Sequence, residues 1–376
     1  MIWPRFPKAA AAALALVVVG CSGPSGPKPA DLPNIAHEQR VRQLWYLSVG
    51  NADPFVFSPA LADGSVFTAA RDGTVTRIDA ARGATQWTVS AAERLSGGVG
   101  ADGRTVAVAN EQGDVFALDA QSGKRLWTAR VSSEVISAPA VGEGLVLVRT
   151  LDNKIHAFDA QDGKRRWLYS RAPSSLIIRT PAGVVIHGDT AYAGFSGGKL
   201  VAVALANGGQ RWEATVALPK GGTELERVTD VVGDPAVQDT EVCAAAYQGR
   251  VACYEASSGR QLWARDVSSL TGVTLDARYA FVADDRGALQ AFDRTNGRTL
   301  WKQDKLSHRQ LSAPRAVGSL IAVGDLEGYV HFVDRETGEF VARYSTDGGP
   351  VRAAPKAMPG GLFVQTLHGS VHALAP

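Results

Sequence analysis

The stretch FALDAQSGKRLW, residues 116–127, decides the fold, because the chain writes it again as AFDAQDGKRRW at 157–167 and as AFDRTNGRTLW at 291–301. In each copy an acidic residue is followed by a glycine and then a tryptophan at fixed offsets: Asp119, Gly123, Trp127; Asp159, Gly163, Trp167; Asp293, Gly297, Trp301. Looser copies carry Asp79, Gly83 and Trp87, then Ala204, Gly208 and Trp212, then Glu255, Gly259 and Trp263. A seventh has Asp334 and Gly338 but Ala342 in the tryptophan position, and an eighth begins at Ala373 where the chain stops. Tryptophans beyond the N-terminal region fall at 45, 87, 127, 167, 212, 263 and 301, a period near 40 that marks a solenoid, an array or a propeller.

Upstream of each motif lie short apolar runs broken by turn residues. In SAPAVGEGLVLVRTLDNKIHAFD (137–159), LVLVR and KIHAFD read as strands joined by a turn at LDN. Pairs such as Asp72-Gly73, Gln112-Gly113 and Glu327-Gly328 supply the positive φ of tight hairpins. No apolar period of 3.6 appears outside the first 20 residues. Each unit is therefore about four short antiparallel strands. The acid caps the turn between the third and fourth strands, the glycine takes its left-handed position, and the tryptophan follows on the fourth strand. A four-stranded sheet cannot bury both faces alone, but sheets stacked radially cover one another. From Trp45 to Pro376 there are 332 residues, about 41 for each of eight units. The expected fold is all-β: an eight-bladed β-propeller of four-stranded antiparallel blades over 41–376. LWYLSVG near Trp45 supplies the strand that the last unit lacks, so the N-terminal strand closes the ring and removes open sheet edges.

The first 20 residues read as a signal peptide: Arg5 and Lys8, then an apolar run to Val19 too short to span a bilayer. Val18-Val19-Gly20-Cys21 resembles a lipobox, which makes Cys21 the expected lipidation site and the mature N-terminus. Ser22 in place of aspartate favours the outer membrane, by resemblance to bacterial lipoproteins. Residues 21–40, rich in Gly, Pro and Ser at their start, read as a flexible tether. The expected location is the periplasmic side of the outer membrane, held by acyl chains. Without Arg5 and Lys8 the remaining chain carries 37 basic and 37 acidic side chains, which gives no reason to expect a nucleic acid partner.

Several apparent chemical motifs dissolve. Gly98 to Gly103 matches GxGxxG, but no helix follows and no βαβ unit surrounds it. His368 and His372 lie in strand and turn context without cysteine or carboxylate partners for a metal. There is no serine elbow and no Cys/His nucleophile pair, so catalytic, cofactor and metal residues are all expected to be absent. Cys243 and Cys253 flank a turn at Gln248-Gly249. A three-residue loop would set them opposite each other on one face and permit a disulfide; a two-residue loop would turn them to opposite sides.

The repeats also point to a binding site. The intervals 167–212 and 212–263 are longer than the period, and insertions in a repeat array often bind on one face. The extra residues fall in SRAPSSLIIRTPAG (170–183) and ALPKGGTELERVTDVVG (217–233). The first carries Leu176, Ile177 and Ile178 capped by Arg179; the second carries Glu224, Glu226, Arg227 and Asp230. An apolar patch edged by charge suits protein docking. The alternative is that Leu176 and Ile178 belong to an ordinary blade strand.

The blade motif resembles that of pyrroloquinoline-quinone (PQQ) dehydrogenases and their non-enzymatic relatives. With the lipobox, eight units and HRQLSAPRAVGSLIAVGDLEGYVHFVDRETGEFVAR (308–343), the chain is similar to the BamB family, lipoproteins of the outer-membrane β-barrel assembly (BAM) machine. The resemblance covers 41–376. It implies a non-catalytic scaffold without cofactor that binds the POTRA domains of BamA and helps unfolded outer-membrane proteins to fold and insert. Carried over residue by residue, Leu176, Ile178 and Arg179 form one contact set and Asp230 belongs to a second. The family often has another acid two residues after that aspartate; here the position is Val232, which weakens the second set. The dehydrogenases form the alternative, with a lipid-anchored propeller of other partner as a third. Dehydrogenases carry adjacent cysteines in a vicinal disulfide, calcium ligands and long insertions over the cofactor. Cys243 and Cys253 are ten apart, and about 41 residues per unit leave little room for such a roof.

Overall fold

A computed structural model describes residues 27–376 apart from 93, 173 and 175. Cys21 and the proposed signal lie outside the described residues. All regular elements among the described residues are strands, grouped in eight four-stranded antiparallel sheets arranged as a ring. Blades 1 to 7 run consecutively from Ala60–Ala62 to Phe340–Ser345. Blade 8 takes three strands from the C-terminal end (Lys356–Met358, Gly361–Gln365, Ser370–Ala375) and its outer strand, Arg42–Ser48, from the N-terminal end. The expected eight-bladed propeller, closed by its N-terminal strand, is the fold.

The second strand of a blade is buried on both faces, as in Thr105–Ala109 and Tyr279–Ala283. This is why those strands read as continuous apolar runs rather than as alternating ones. The cores lie in the seams between blades; one joins Ala117 and Trp127 of blade 2 to Val146, Val148 and Phe158 of blade 3.

The repeated motif builds a clasp across seven of these eight seams. Asp119 accepts hydrogen bonds from the Ser122 amide and hydroxyl at 2.7 and 2.6 Å, and Gly123 sits at φ 70°. The tryptophan of the preceding blade, Trp87, then lies on that glycine, where an added Cβ would come within 3.1 Å of the indole. Its Nε1–H donates to Ala120 O at 3.0 Å. The same hydrogen bond recurs from Trp45 to Ala80, Trp127 to Ala160, Trp167 to Leu205, Trp212 to Ala256, Trp263 to Arg294 and Trp301 to Arg335. The acceptor is always the residue after the acidic position. Only glycine leaves room for the ring, and the ring shields the turn that the acid has capped.

Blade 7 has Ala342 at the tryptophan position. A tryptophan there would have to grip the turn between the third and outer strands of blade 8. Those two strands come from opposite ends of the chain, so that turn does not exist. The seam is instead covered by the N-terminal segment. Ala30 N–H donates to Ser307 O and Gln39 N–H to Val341 O, both at 2.9 Å, while Arg343 donates to Pro33 O. Arg309, 2% exposed, donates to Ala30 O at 2.9 Å and pairs with Asp325 at 2.7 Å. The residues read as a tether, 21–40, are thus docked from Ala30 onward. Their backbone carbonyls accept hydrogen bonds from arginines that lie far away in the sequence.

Two smaller expectations resolve. Ala246 N–H bonds Arg250 O across a three-residue loop, so Cys243 and Cys253 stand opposite each other and form a disulfide. The glycines of the GxGxxG match serve packing: a Cβ on Gly100 would lie 2.0 Å from Pro139 O in the neighbouring blade.

Candidate protein-docking face

Each blade hands the chain from its outer strand to the inner strand of the next blade on one face of the ring. The two longest of these connections are 171–183 and 216–230, the segments that the repeat spacing singles out. Leu176, Ile178 and Arg179 therefore belong to a connection, not to a strand; blade 4 begins at Val184.

Leu176 is 43% exposed and Ile178 half-buried. The exposed Arg179 reaches Glu134 on the preceding connection, Nη1 to Oε2 2.6 Å. Beneath them Asp230 is buried. Its Oδ2 accepts the Ile178 N–H at 2.7 Å and its Oδ1 the Gly197 N–H at 3.2 Å. Burial pushes its carboxyl above the ordinary value, while those two N–H groups and the nearby Arg149 charge pull the other way. Burial in turn lowers the Arg149 guanidinium to about 10, against the charges of Asp230 and Asp234. Asp234 fastens the far end of the same loop, accepting the Gly183 N–H at 2.8 Å, and Arg149 donates to Ala182 O at 3.2 Å. Two carboxylates of blade 5 and its approach thus hold a loop of blade 4 in shape. Asp234 lies in a strand irregularity between Val232 and Ala236, outside the ladder pairing.

The 216–230 connection is shaped by its own polar groups. Glu226 Oε2 accepts the Gly222 and Thr223 N–H groups at 2.8 and 3.1 Å, and Thr223 Oγ1 accepts the Glu226 N–H, a reciprocal cap. Those N–H groups, Thr223 first, hold the Glu226 carboxyl below its usual range. Arg227 Nε donates to Gly221 O at 3.1 Å. The Gln248 amide, oriented with its nitrogen inward, donates to Glu226 O and Val228 O. Glu224 lies on the exposed turn between these groups.

The structure therefore sorts the expected residues. Leu176, Ile178 and Arg179 come together with Asp230, which orients them from below and is not itself presented. Glu226 and Arg227 hold the second loop, whose tip presents Leu225 at 73% and Leu218 at 61% exposure. Sequence reading missed both leucines because it read that loop for charge; isolated leucines in a polar insertion were the available signal. With Leu176 and Leu270, they are the large apolar side chains exposed on connections among the described residues, and they lie on three successive connections. An apolar face framed by fixed loops is suited to docking another protein.

Residues 71–303 match the family described as outer membrane protein assembly factor BamB. Curated proteins of that name are similar over nearly the full length. The one from Bordetella pertussis is 42% identical, covering 95% of this chain and 93% of its own. That from Pseudomonas aeruginosa is 45% identical and covers 95% of each. Among solved structures, BamB from Moraxella catarrhalis superposes with a TM-score of 0.82 at 25% identity, covering 90% of this chain and all of that one. Quinohemoprotein alcohol dehydrogenase from Comamonas testosteroni shares the fold alone, with a TM-score of 0.69 at 14% identity.

Proposed function

The chain belongs to the BamB family of outer membrane protein assembly factors, and from that premise we propose that it is a lipid-anchored scaffold whose long-loop face grips the POTRA domains of BamA. It is an assembly factor and not an enzyme. In this reading Cys21 carries the acyl chains, the propeller stands on the periplasmic side of the outer membrane, and unfolded outer-membrane proteins are clients of the complex it joins. One observation carries the proposal: the two longest connections emerge on one face, the first fastened by Asp230 and Asp234 and the second by its own Glu226 and Arg227, and they expose Leu176, Leu218 and Leu225.

The test is co-purification with BamA. Arg179 is 52% exposed on its side chain and its pair with Glu134 lies at the surface, so breaking that pair costs well under about 1 kcal/mol of stability. Arg179→Glu is expected to abolish co-purification with the melting temperature unchanged. Photocrosslinking in cells from position 225 should yield a BamA adduct. Retained co-purification together with an adduct to a different protein would redirect the assignment of the face.

A further inference from the structure

The eight inner strands surround an axial channel with a cavity of about 340 Å³. One row of side chains runs across every blade through the tryptophan position, as Gly100, Ala107, Ala117 and Trp127 do in blade 2. At the channel end of this row, blades 1 to 5 place Ala60, Gly100, Ala140, Val185 and Ala236, and blade 6 places Thr274. Blades 7 and 8 break the pattern with two cations side by side, Arg315 and Lys356. Arg352, just before the inner strand of blade 8, lines the same cavity. One carboxylate faces them, that of Asp234, which already accepts the Gly183 N–H.

Protein carboxylates offset these charges only from a distance. Among the described residues none of the three cations is hydrogen-bonded or ion-paired to a carboxylate, and Lys356 Nζ makes no hydrogen bond. Arg315 spends Nε on Pro355 O at 3.1 Å, and Arg352 donates to Gln310. Burial lowers the proton affinity of Lys356, Arg315 and Arg352 alike, with Asp234 opposing the shift at the first two and Asp53 at the third. Arg315 and Lys356 are half-buried and Arg352 is exposed, and three cations sharing one cavity repel each other and favour a bound counter-anion. The blade repeat does not require them, since small residues fill the same row position elsewhere.

We propose that the channel wall formed by Arg315, Arg352 and Lys356 is a binding site for a small multivalent oxyanion, a phosphate- or carboxylate-bearing molecule that fits within the axial cavity. Arginine forks match such oxygens bidentately and lysine supplies a point charge between them. The cavity is at the small end of the range for ligand pockets, which suits a compact anion better than a polymer. This inference does not rest on the docking reading: the cations stand on blades 7 and 8, although Thr180 and Pro181 of the first long loop and Leu270 line the same cavity.

The experiment is calorimetric titration of the purified full-length protein with pyrophosphate and with citrate, at constant ionic strength against a sodium chloride control. One-to-one binding is expected, tighter for whichever oxyanion class the site takes. Lys356→Met and Arg315→Gln should each weaken it by at least about tenfold. Lys356→Arg should restore most of the affinity, which a merely structural role would not do. Melting curves in the same buffers check that each variant is folded, and ligand should raise the melting temperature of wild type but not of Lys356→Met. Absence of binding by either anion above the chloride control would overturn the proposal. So would binding that both neutral substitutions leave unchanged.

Discussion

Seven seams of the ring are closed in one way and the eighth in another. At the seven, an indole lies on the glycine of the next blade and its N–H reaches a carbonyl of the next turn, as Trp127 does with Gly163 and Ala160. At the eighth, between blades 7 and 8, Ala342 replaces the ring, and the chain from Ala30 to Val41 lies over the junction. The difference teaches that the tryptophan is half of a two-part device. Where ring closure removes the receiving turn, the ring has nothing to hold and a small residue suffices. A buried arginine, Arg309, pins the replacement cover.

The largest effect that tests this contrast is Trp127→Ala. Trp127 is buried against Val146, Val148 and Phe158, so truncation should cost about 3–5 kcal/mol, read by urea or thermal unfolding. A cost under about 1 kcal/mol would show that the clasp is not what closes the seam.

Ala342→Trp probes the eighth seam from the other side. Ala342 is 1% exposed and packs with Phe332, Leu374 and Val41, so a ring placed there has neither space nor a turn to grip. It should destabilise by about 1–3 kcal/mol through overpacking. Stabilisation would break the comparison, because it would mean that a partner for the indole exists.

The smallest effect separates the two closures by pH. The indole N–H groups and backbone carbonyls of the clasps do not titrate, and the carboxylates that cap their turns, such as Asp119, Asp159 and Asp293, are held below their usual range by turn hydrogen bonds and stay ionised above it. The N-terminal cover hangs on Arg309, whose partners are Asp325 and Glu327, and His331 shares the Asp325 carboxylate at 2.8 Å. Burial on its own would raise Asp325, but hydrogen bonds from His331, the Tyr329 N–H and Arg309 hold it below its usual value. Burial lowers His331 in spite of Asp325. A depressed carboxylate stabilises above its unfolded pKa, and that contribution is lost as pH falls through the folded value; a depressed histidine costs stability as pH falls below about 6.5. Both signs point the same way. Acidification from pH 7 toward 4, where the His331 contribution is lost, should expose residues 30–39 to proteolysis before the clasped seams open, with the Asp325 contribution following only below the usual carboxylate range. Equal sensitivity of both would contradict the assignment.

The clasp itself was legible in the sequence, since an acid, a glycine and a tryptophan at fixed spacing specify a capped turn and a ring that needs its glycine. The docking loops were legible as lengths, because they exceed the period. Their chemistry was only half legible. Arg179 and Leu176 are exposed as a polar-edged apolar run suggests, whereas Asp230 turned inward. Residue type alone does not say whether an aspartate presents its carboxylate or uses it to accept buried N–H groups. The tether was misread for a related reason. A run rich in Gly and Pro predicts flexibility unless distant side chains donate to its carbonyls, and Arg309 and Arg343 are more than 270 residues away.

The sequence by itself determined the strand period, the turn chemistry, the number of blades and the closure of the ring. These follow from local spacing and from the need of a two-faced sheet to be covered. Only the tertiary structure decided which carboxylates point inward, that residues 30–39 are docked, and that Arg315, Arg352 and Lys356 meet on one wall of a channel. Those facts depend on residues brought together across the ring, and no spacing along the chain encodes which blades will face each other around an axis.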